Sequence, residues 1–330
     1  MKKVFKTLSA FVFASILSVS FEAKAQNIAF NSNELYPEGV AYSPKQDVFF
    51  VTSLRYGKIG KLDRKGTYTE FINDNELVSA IGTHADQKRN LLYVCISDPG
   101  VSVKTNAATQ GRLGKVIAYD LTTGKRKFST DLGALNPTGG NFANDVAFDT
   151  EGNLYVTNSF SPMIFKVTPE GKGSIFATSD LFKAEGFSLN GIVFHKNGYL
   201  IVAQSGTGNI YKVSLKNPKE ITKINAAPIV GADGLVLKGK NQLVIISNEK
   251  KEIYQFVSKD DFVSATLKSK VPSVMTFPTT GVFAKGKLYV LNAKLDELFN
   301  PKAAKTSNFL LQEVVFEKKK EKKKEKKKGK

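Results

Sequence analysis

The sequence predicts an all-β fold: a six-bladed β-propeller with four-stranded blades, the ring closed by an N-terminal strand. Three observations carry this. One pattern recurs six times: a short apolar strand opened by a small residue, a turn, then a second strand rich in Tyr, Val and Leu. The candidate strands are short, β-branched and aromatic, and Gly, Asn, Asp and Lys mark the turns between them. No window sustains helical periodicity beyond fragments such as 180–185.

The copies are PEGVAYSPKQDVFFVTS from Pro37, AIGTHADQKRNLLYVCIS from Ala80, ANDVAFDTEGNLYVTNS from Ala143, LNGIVFHKNGYLIVAQS from Leu189, ADGLVLKGKNQLVIISN from Ala232 and TTGVFAKGKLYVLNA from Thr279. Aligned on Gly39, Gly82, Asp145, Gly191, Gly234 and Gly281, they lie 43, 63, 46, 43 and 47 residues apart. The long interval carries an insertion around 98–113. Third and fourth strands follow within units, at 57–62 and 68–72, 163–167 and 174–177, 209–213 and 220–224. A lone four-stranded unit cannot bury both faces, so neighbours must stack around an axis. The sixth unit has a second strand at 287–293 and a third at 309–316, but no fourth. Residues 27–30 are expected to pair there and remove the open edge.

Both ends stand apart from this fold. Residues 1–25 read as a signal peptide: Lys2, Lys3 and Lys6, an apolar run over 8–21, and Ala23-Lys24-Ala25 as a cleavage site. Cleavage after Ala25 implies a secreted or periplasmic protein. The propeller is expected over 26–316. Residues 317–330 hold ten Lys and three Glu, a polar segment that cannot be buried and is expected to be disordered. It is a solubilising tail or a contact for anionic cell-surface polymers. The formal charge of +18 is therefore uneven: +7 sits in this tail and +3 in residues 1–25, leaving +8 for the body. No nucleic-acid partner follows from that remainder, and no other segment is apolar enough to span a membrane. Cys95 is the one cysteine, which excludes an intrachain disulfide and a Cys-based zinc site. A closed ring needs no partner subunit to finish its core.

The first strand of every blade lines a propeller's central channel, so residues at one repeat position form a ring. The position before the aligned residue reads Glu38, Ile81, Asn144, Asn190, Asp233 and Thr280. Carboxylates and carboxamides meeting in a narrow channel repel and lose water. A divalent cation would offset that cost, and an all-oxygen set favours calcium, with magnesium or manganese as the alternatives. Glu38, Asn144, Asn190 and Asp233 are the candidate metal ligands. Asn144 and Thr280 are candidates for substrate contact. Without a metal, the same ring is a water-filled polar channel. Arg55, Tyr56, Phe160 and the loop at 105–112 are candidates for the mouth. His84 falls where other copies have Ala41, Ala147, Val193, Val236 and Phe283, and is expected to pack between blades.

PEGVAYSP with Glu38, NDVAFDTEGNLYVTNS with Asn144, LNGIVFHKNGYLIVAQS with Asn190 and ADGLVLKGKNQLVIIS with Asp233 resemble the gluconolactonase, regucalcin and senescence-marker-protein family over about residues 33–316. The last copy is similar to an exported bacterial subgroup. The resemblance implies a six-bladed propeller with a divalent cation, usually calcium, on its axis, held by Glu38, Asn190 and Asp233, with Asn144 touching substrate or metal. It also implies hydrolysis of sugar lactones. One departure stands out: the family's sugar-binding Arg would fall at Phe142.

Two functions are consistent with these readings. The first is an exported, metal-dependent hydrolase of a small lactone or related ester, with Asp233 as catalytic base. The second is a non-catalytic propeller that binds a ligand or protein, its cation structural or absent.

Overall fold

The computed structural model describes residues 25–316; the lysine tail and residues 1–24 of the expected signal peptide lie outside the described residues. Six antiparallel sheets of four strands make up the chain. Their first strands are Val40–Ser43, Ser79–Asp86, Ala143–Phe148, Leu189–His195, Ala232–Lys238 and Pro278–Ala284. Each packs on the first strand of the next sheet, and the sixth packs on the first, so the sheets close into a ring. This is the six-bladed propeller that the repeat predicts. Among the described residues no helix is long and apolar enough to cross a membrane.

Closure follows the expected route. Strand Ile28–Asn31 pairs with Asn308–Val314, setting Ile28 opposite Leu311 and Phe30 opposite Phe309. Its sequence alternates, so Ile28 and Phe30 point inward while Ala29 and Asn31 face water. The Phe30 ring lies 5.8 Å from Phe309, which also meets Tyr36 edge-on at 5.6 Å. Burying each of Ile28 and Phe30 contributes on the order of 1.5–3 kcal/mol, an upper value. The strand therefore seals the last blade's edge with packing as well as hydrogen bonds.

The apolar core lies in layers between neighbouring sheets. One cluster joins Phe50 and Ala41 of blade one to Leu92 and Ile117 of blade two, and another joins Ile201 and Ala203 of blade four to Ile245 and Phe256 of blade five. Both faces of a second strand are thus buried, as in Leu154–Asn158. Outermost strands such as Thr266–Pro272 are largely exposed.

The hub departs from regular pairing. In blades two to six the first strand skips two residues in register: Ile81-Gly82, Asn144-Asp145, Asn190-Gly191, Asp233-Gly234 and Thr279-Thr280. In blade one Glu38-Gly39 precede the first pair, Val40 with Val51. These bulges turn the strand toward the axis. They also explain the recurrent glycine. A Cβ on Gly82 would meet the Asn144 carbonyl at 2.5 Å, and one on Gly234 would meet the Thr279 carbonyl at 2.7 Å. At these glycines adjacent blades pack backbone to backbone and leave no room for a side chain; Asp145 and Thr280 hold the same place in blades three and six.

Candidate functional site

A cavity of about 270 Å³ opens at one end of the channel. Glu38, Asn144, Asn190 and Asp233 all line it, the last three as the first residues of their bulges and Glu38 just before the first strand of blade one. Residues from blades one, three, four and five, up to 195 positions apart in sequence, therefore meet at the hub. All four are buried: Glu38 is 8 % exposed, Asn144 3 %, Asn190 6 % and Asp233 4 %. Ile81 fills the blade-two position and is wholly buried.

Thr280 is placed elsewhere. In blade six the bulge is Thr279-Thr280, so Thr279 occupies the ring position and Thr280 matches Asp145, Gly191 and Gly234. The repeat aligned on Gly281 is one residue out of step with the strand register, and one residue changes the face a side chain presents. Thr279 is buried, with its hydroxyl donating to the Glu38 carbonyl at 2.8 Å. Thr280 lines the opposite end of the channel together with Asp145.

The end of the second strand buttresses the ring. Asn144 Nδ2 donates to Ser159 Oγ at 2.8 Å, and Ser159 Oγ donates in turn to the Leu189 carbonyl at 2.5 Å. One amide hydrogen is thus engaged by Ser159, while Asn144 Oδ1 makes no hydrogen bond among the described residues and is free to accept. Asn248 Nδ2 donates to Asp233 Oδ2 at 3.0 Å. Ser159 and Asn248 hold equivalent places, one residue beyond the partners of Ala143 and Ala232. Sequence reasoning missed both, although the polar ends of the copies, VTNS and IISN, carried the signal.

Electrostatics at the hub are unfavourable as the side chains stand. Burial first, then the Asp233 and Asp145 charges, raise the Glu38 carboxyl well above the usual range. Burial raises Asp233 to about 8; the Asn248 amide opposes this, Asp145 adds to it and the Asn190 amide opposes it. Asp145, between the two ends of the channel, is raised to about 6 by burial, against the Val146 and Ile192 amides that donate to it. The buried Glu38 Oε2 has no hydrogen-bond partner. An unpaired buried acceptor costs on the order of 1–3 kcal/mol, more if charged. Two carboxylates and two amide oxygens converging beside such an atom fit a hard divalent cation. Among the described residues no three His, Cys, Asp or Glu cluster at a metal-binding distance. The fit therefore depends on the asparagine oxygens.

The walls of the cavity are aromatic. Phe142, Phe187, Phe277, Leu295 and Phe299 line it. Phe160 lies just behind, its ring 5.1 Å from Phe142 and 5.4 Å from Phe187. Arg55, Tyr56 and the 105–112 loop are not part of the lining. Arg55 pairs with Glu34 at 2.9 Å. The loop folds onto Asp98, which accepts from Thr105 and Thr109 hydroxyls at 2.6 Å each.

The other end of the channel holds a larger recess, about 410 Å³. His84 lies here, with Ala41, Ala147, Val193, Val236 and Phe283. As expected it packs against the next blade, its Nδ1 3.2 Å from the Val146 carbonyl and its ring edge-on to Phe148 at 4.9 Å, but the side chain is also exposed to the recess. The repeat position is apolar because Ala41, Ala147, Val193 and Val236 are buried in the packing between neighbouring blades; the same position borders the second mouth.

No protein-family model matches the sequence, and no curated protein does. Solved structures match it throughout. The major allergen Mala s 1 of Malassezia sympodialis is 19 % identical, with 89 % of this chain and 97 % of that one covered at a TM-score of 0.70. A gluconolactonase of Xanthomonas campestris, described as important in glucose secondary metabolic pathways, is 14 % identical, with 88 % and 90 % covered and a TM-score of 0.61. The likeness is one of fold. It places gluconolactonase propellers among the structural neighbours, as the sequence motifs imply. A chain of the nidogen–laminin complex is also among them, 16 % identical over 70 % of this chain and 84 % of that one, at a TM-score of 0.52.

Proposed function

We propose that the protein is an exported, metal-dependent hydrolase of a lactone or related ester. The observation that carries this reading is the meeting of Glu38, Asn144, Asn190 and Asp233 in one cavity, with Glu38 Oε2 buried and unpaired. These four side chains would hold a divalent cation, calcium before magnesium or manganese on the chemistry of the donors. Bound there, the cation would polarise the substrate carbonyl and neutralise the oxyanion as it develops. Asp233 is the base. In its ionised form it takes a proton from the attacking water as the new C–O bond forms. It then returns that proton to the ring oxygen as the lactone bond breaks. Asn248, bonded to Asp233 Oδ2, fixes the carboxylate's orientation. Asn144, tied to Ser159 through its nitrogen, keeps its oxygen free to accept.

Removal of residues 1–25 would leave every blade intact, since the first strand starts at Ile28. Residues 315 and 316, the root of the lysine segment, lie against Lys238 and Gly286 at the turn end of blades five and six. That end carries the His84 recess, so a tail held by anionic cell-surface polymers would leave the hydrolytic mouth open. A ligand-binding propeller without turnover is the second reading. Phe142 in place of a sugar-binding Arg favours it.

One experiment separates the two. Calcium is expected to raise the melting temperature, and calcium-loaded protein is expected to open lactones, with Asp233→Asn losing turnover. Calcium stabilisation with no turnover across lactones and esters selects the binding reading. Turnover that survives both chelation and Asp233→Asn removes the proposed mechanism.

A further inference from the structure

We infer that the hydrophobic wall, and not the polar floor, selects the ligand: the substrate is an uncharged lactone or ester bearing an alkyl or aryl substituent, not a polyhydroxylated one. This rests on the hydrolase reading for the word substrate, but the wall itself is a separate observation. Phe142, Phe160 and Phe187 form a mutually touching trio, with ring centroids 5.1, 5.4 and 5.4 Å apart. Phe142 is buried beneath, whereas Phe160 and Phe187 are 37 % and 39 % exposed. Across the cavity Phe299 is 43 % exposed, at the end of the single helix turn Leu295–Phe299. Large aromatic faces left in water around a concave site are the usual mark of an apolar ligand.

Charge points the same way. No Lys or Arg lines this cavity, while Glu185 and Glu249 lie exposed at its rim beside the buried Glu38 and Asp233. An anionic substituent would find no cation in the lining itself; the neighbouring Lys250 is already paired with Glu249 at 3.0 Å. Sugar hydroxyls laid on the phenylalanine wall would lose water without gaining a partner, which costs affinity for each one. An alkyl chain or ring would instead cover the exposed face of Phe187, which Phe160 backs, and that of Phe299 opposite. The carboxylate product of hydrolysis would be repelled by the same acidic rim.

The test uses γ-lactams carrying alkyl chains of increasing length, isosteric with γ-lactones but not hydrolysed, titrated calorimetrically into the full-length, calcium-loaded protein. Affinity is expected to rise about twofold per methylene if the chain is half buried and about fourfold if fully buried. Phe187→Ser, at a partly exposed position on the wall, should flatten this slope, lowering the affinity of the long-chain lactams more than that of the unsubstituted one. Turnover of the matching γ-lactones is measured in parallel against gluconolactone. Affinity independent of chain length, or a gluconolactone rate above that of the alkyl lactones, overturns the inference while leaving a lactonase. A clear lactam slope without any lactone turnover removes the hydrolase reading and leaves an apolar-ligand site.

Discussion

The closeness of the blades at the hub can be tested by adding one methyl group. A Cβ at Gly191 would lie 2.3 Å from the Asp233 carbonyl oxygen, 2.7 Å from Leu235 N and 3.0 Å from Gly234 C, all of them backbone atoms. Ordinary contact begins near 3.4 Å, so blades four and five would have to separate locally by about 1 Å. Overpacking of this kind costs about 1–3 kcal/mol. Loss of glycine's freedom in the unfolded chain returns about 0.4–1 kcal/mol. A net loss of about 1.3 kcal/mol is expected for Gly191→Ala. With an unfolding entropy of about 2.1 cal/mol/K per residue over roughly 290 residues, that lowers the melting temperature by about 2 °C. Because the displaced group is the backbone of Asp233, calcium stabilisation should shrink as well. Gly173→Ala is the control: its Cβ would meet a Thr130 methyl at 3.0 Å and a Leu135 methyl at 3.4 Å, side chains that can move. It should change stability by less than about 1 kcal/mol. Thermal and urea unfolding of both variants, with and without calcium, give the comparison. If Gly191→Ala is no worse than Gly173→Ala, the blades do not approach as described and the account of the repeated glycine fails.

The histidines give a clean pH test. Burial in the recess lowers the His84 pKa, against the Val146 carbonyl and the Asp86 charge, which raise it. A folded-state value below the unfolded one means that the unfolded chain binds more protons as pH falls through about 6.5, so this contribution to stability fades on acidification. NMR titration of a chain with two histidines should show one ring, assigned by His84→Gln, titrating below the ordinary histidine value of about 6.5; a titration at or above that value contradicts the placement in a desolvated recess. Adsorption to anionic polysaccharide beads should require residues 317–330 and vanish near 1 M salt, where the screening length is about 3 Å. A chain ending at Phe316 that adsorbs equally well would show that the tail is not the tether.

How much of this was legible follows from what is repeated and what occurs once. Six copies of one strand pair give the ring, its order and the inward position, because errors in one copy are corrected by the others. The closing strand was legible too, since a blade short of one strand and an unassigned alternating segment at 28–31 fit together. Blade six failed where its copy differs. TTGV offers a glycine to align on, but the bulge begins at Thr279, and a two-residue skip leaves no trace in the alternation of apolar residues. His84 packs on the neighbouring blade as its repeat position implies, but its exposure to an open mouth was not legible, since sequence does not show which inter-blade positions border a recess. The phenylalanine wall was the least legible part. Its residues come from loops and from the helix at Leu295–Phe299, each present in a single copy, so no periodicity points to them. The chemistry has the same logic. A repeat can tolerate Ile81 at the hub, and what marks a site is that the other five equivalents abandon apolar packing for buried oxygen, four of them as carboxyl or carboxamide groups. That departure is costly to stability in the absence of something positive to share, which is why buried, unpaired oxygen at the hub is the strongest functional signal in the chain.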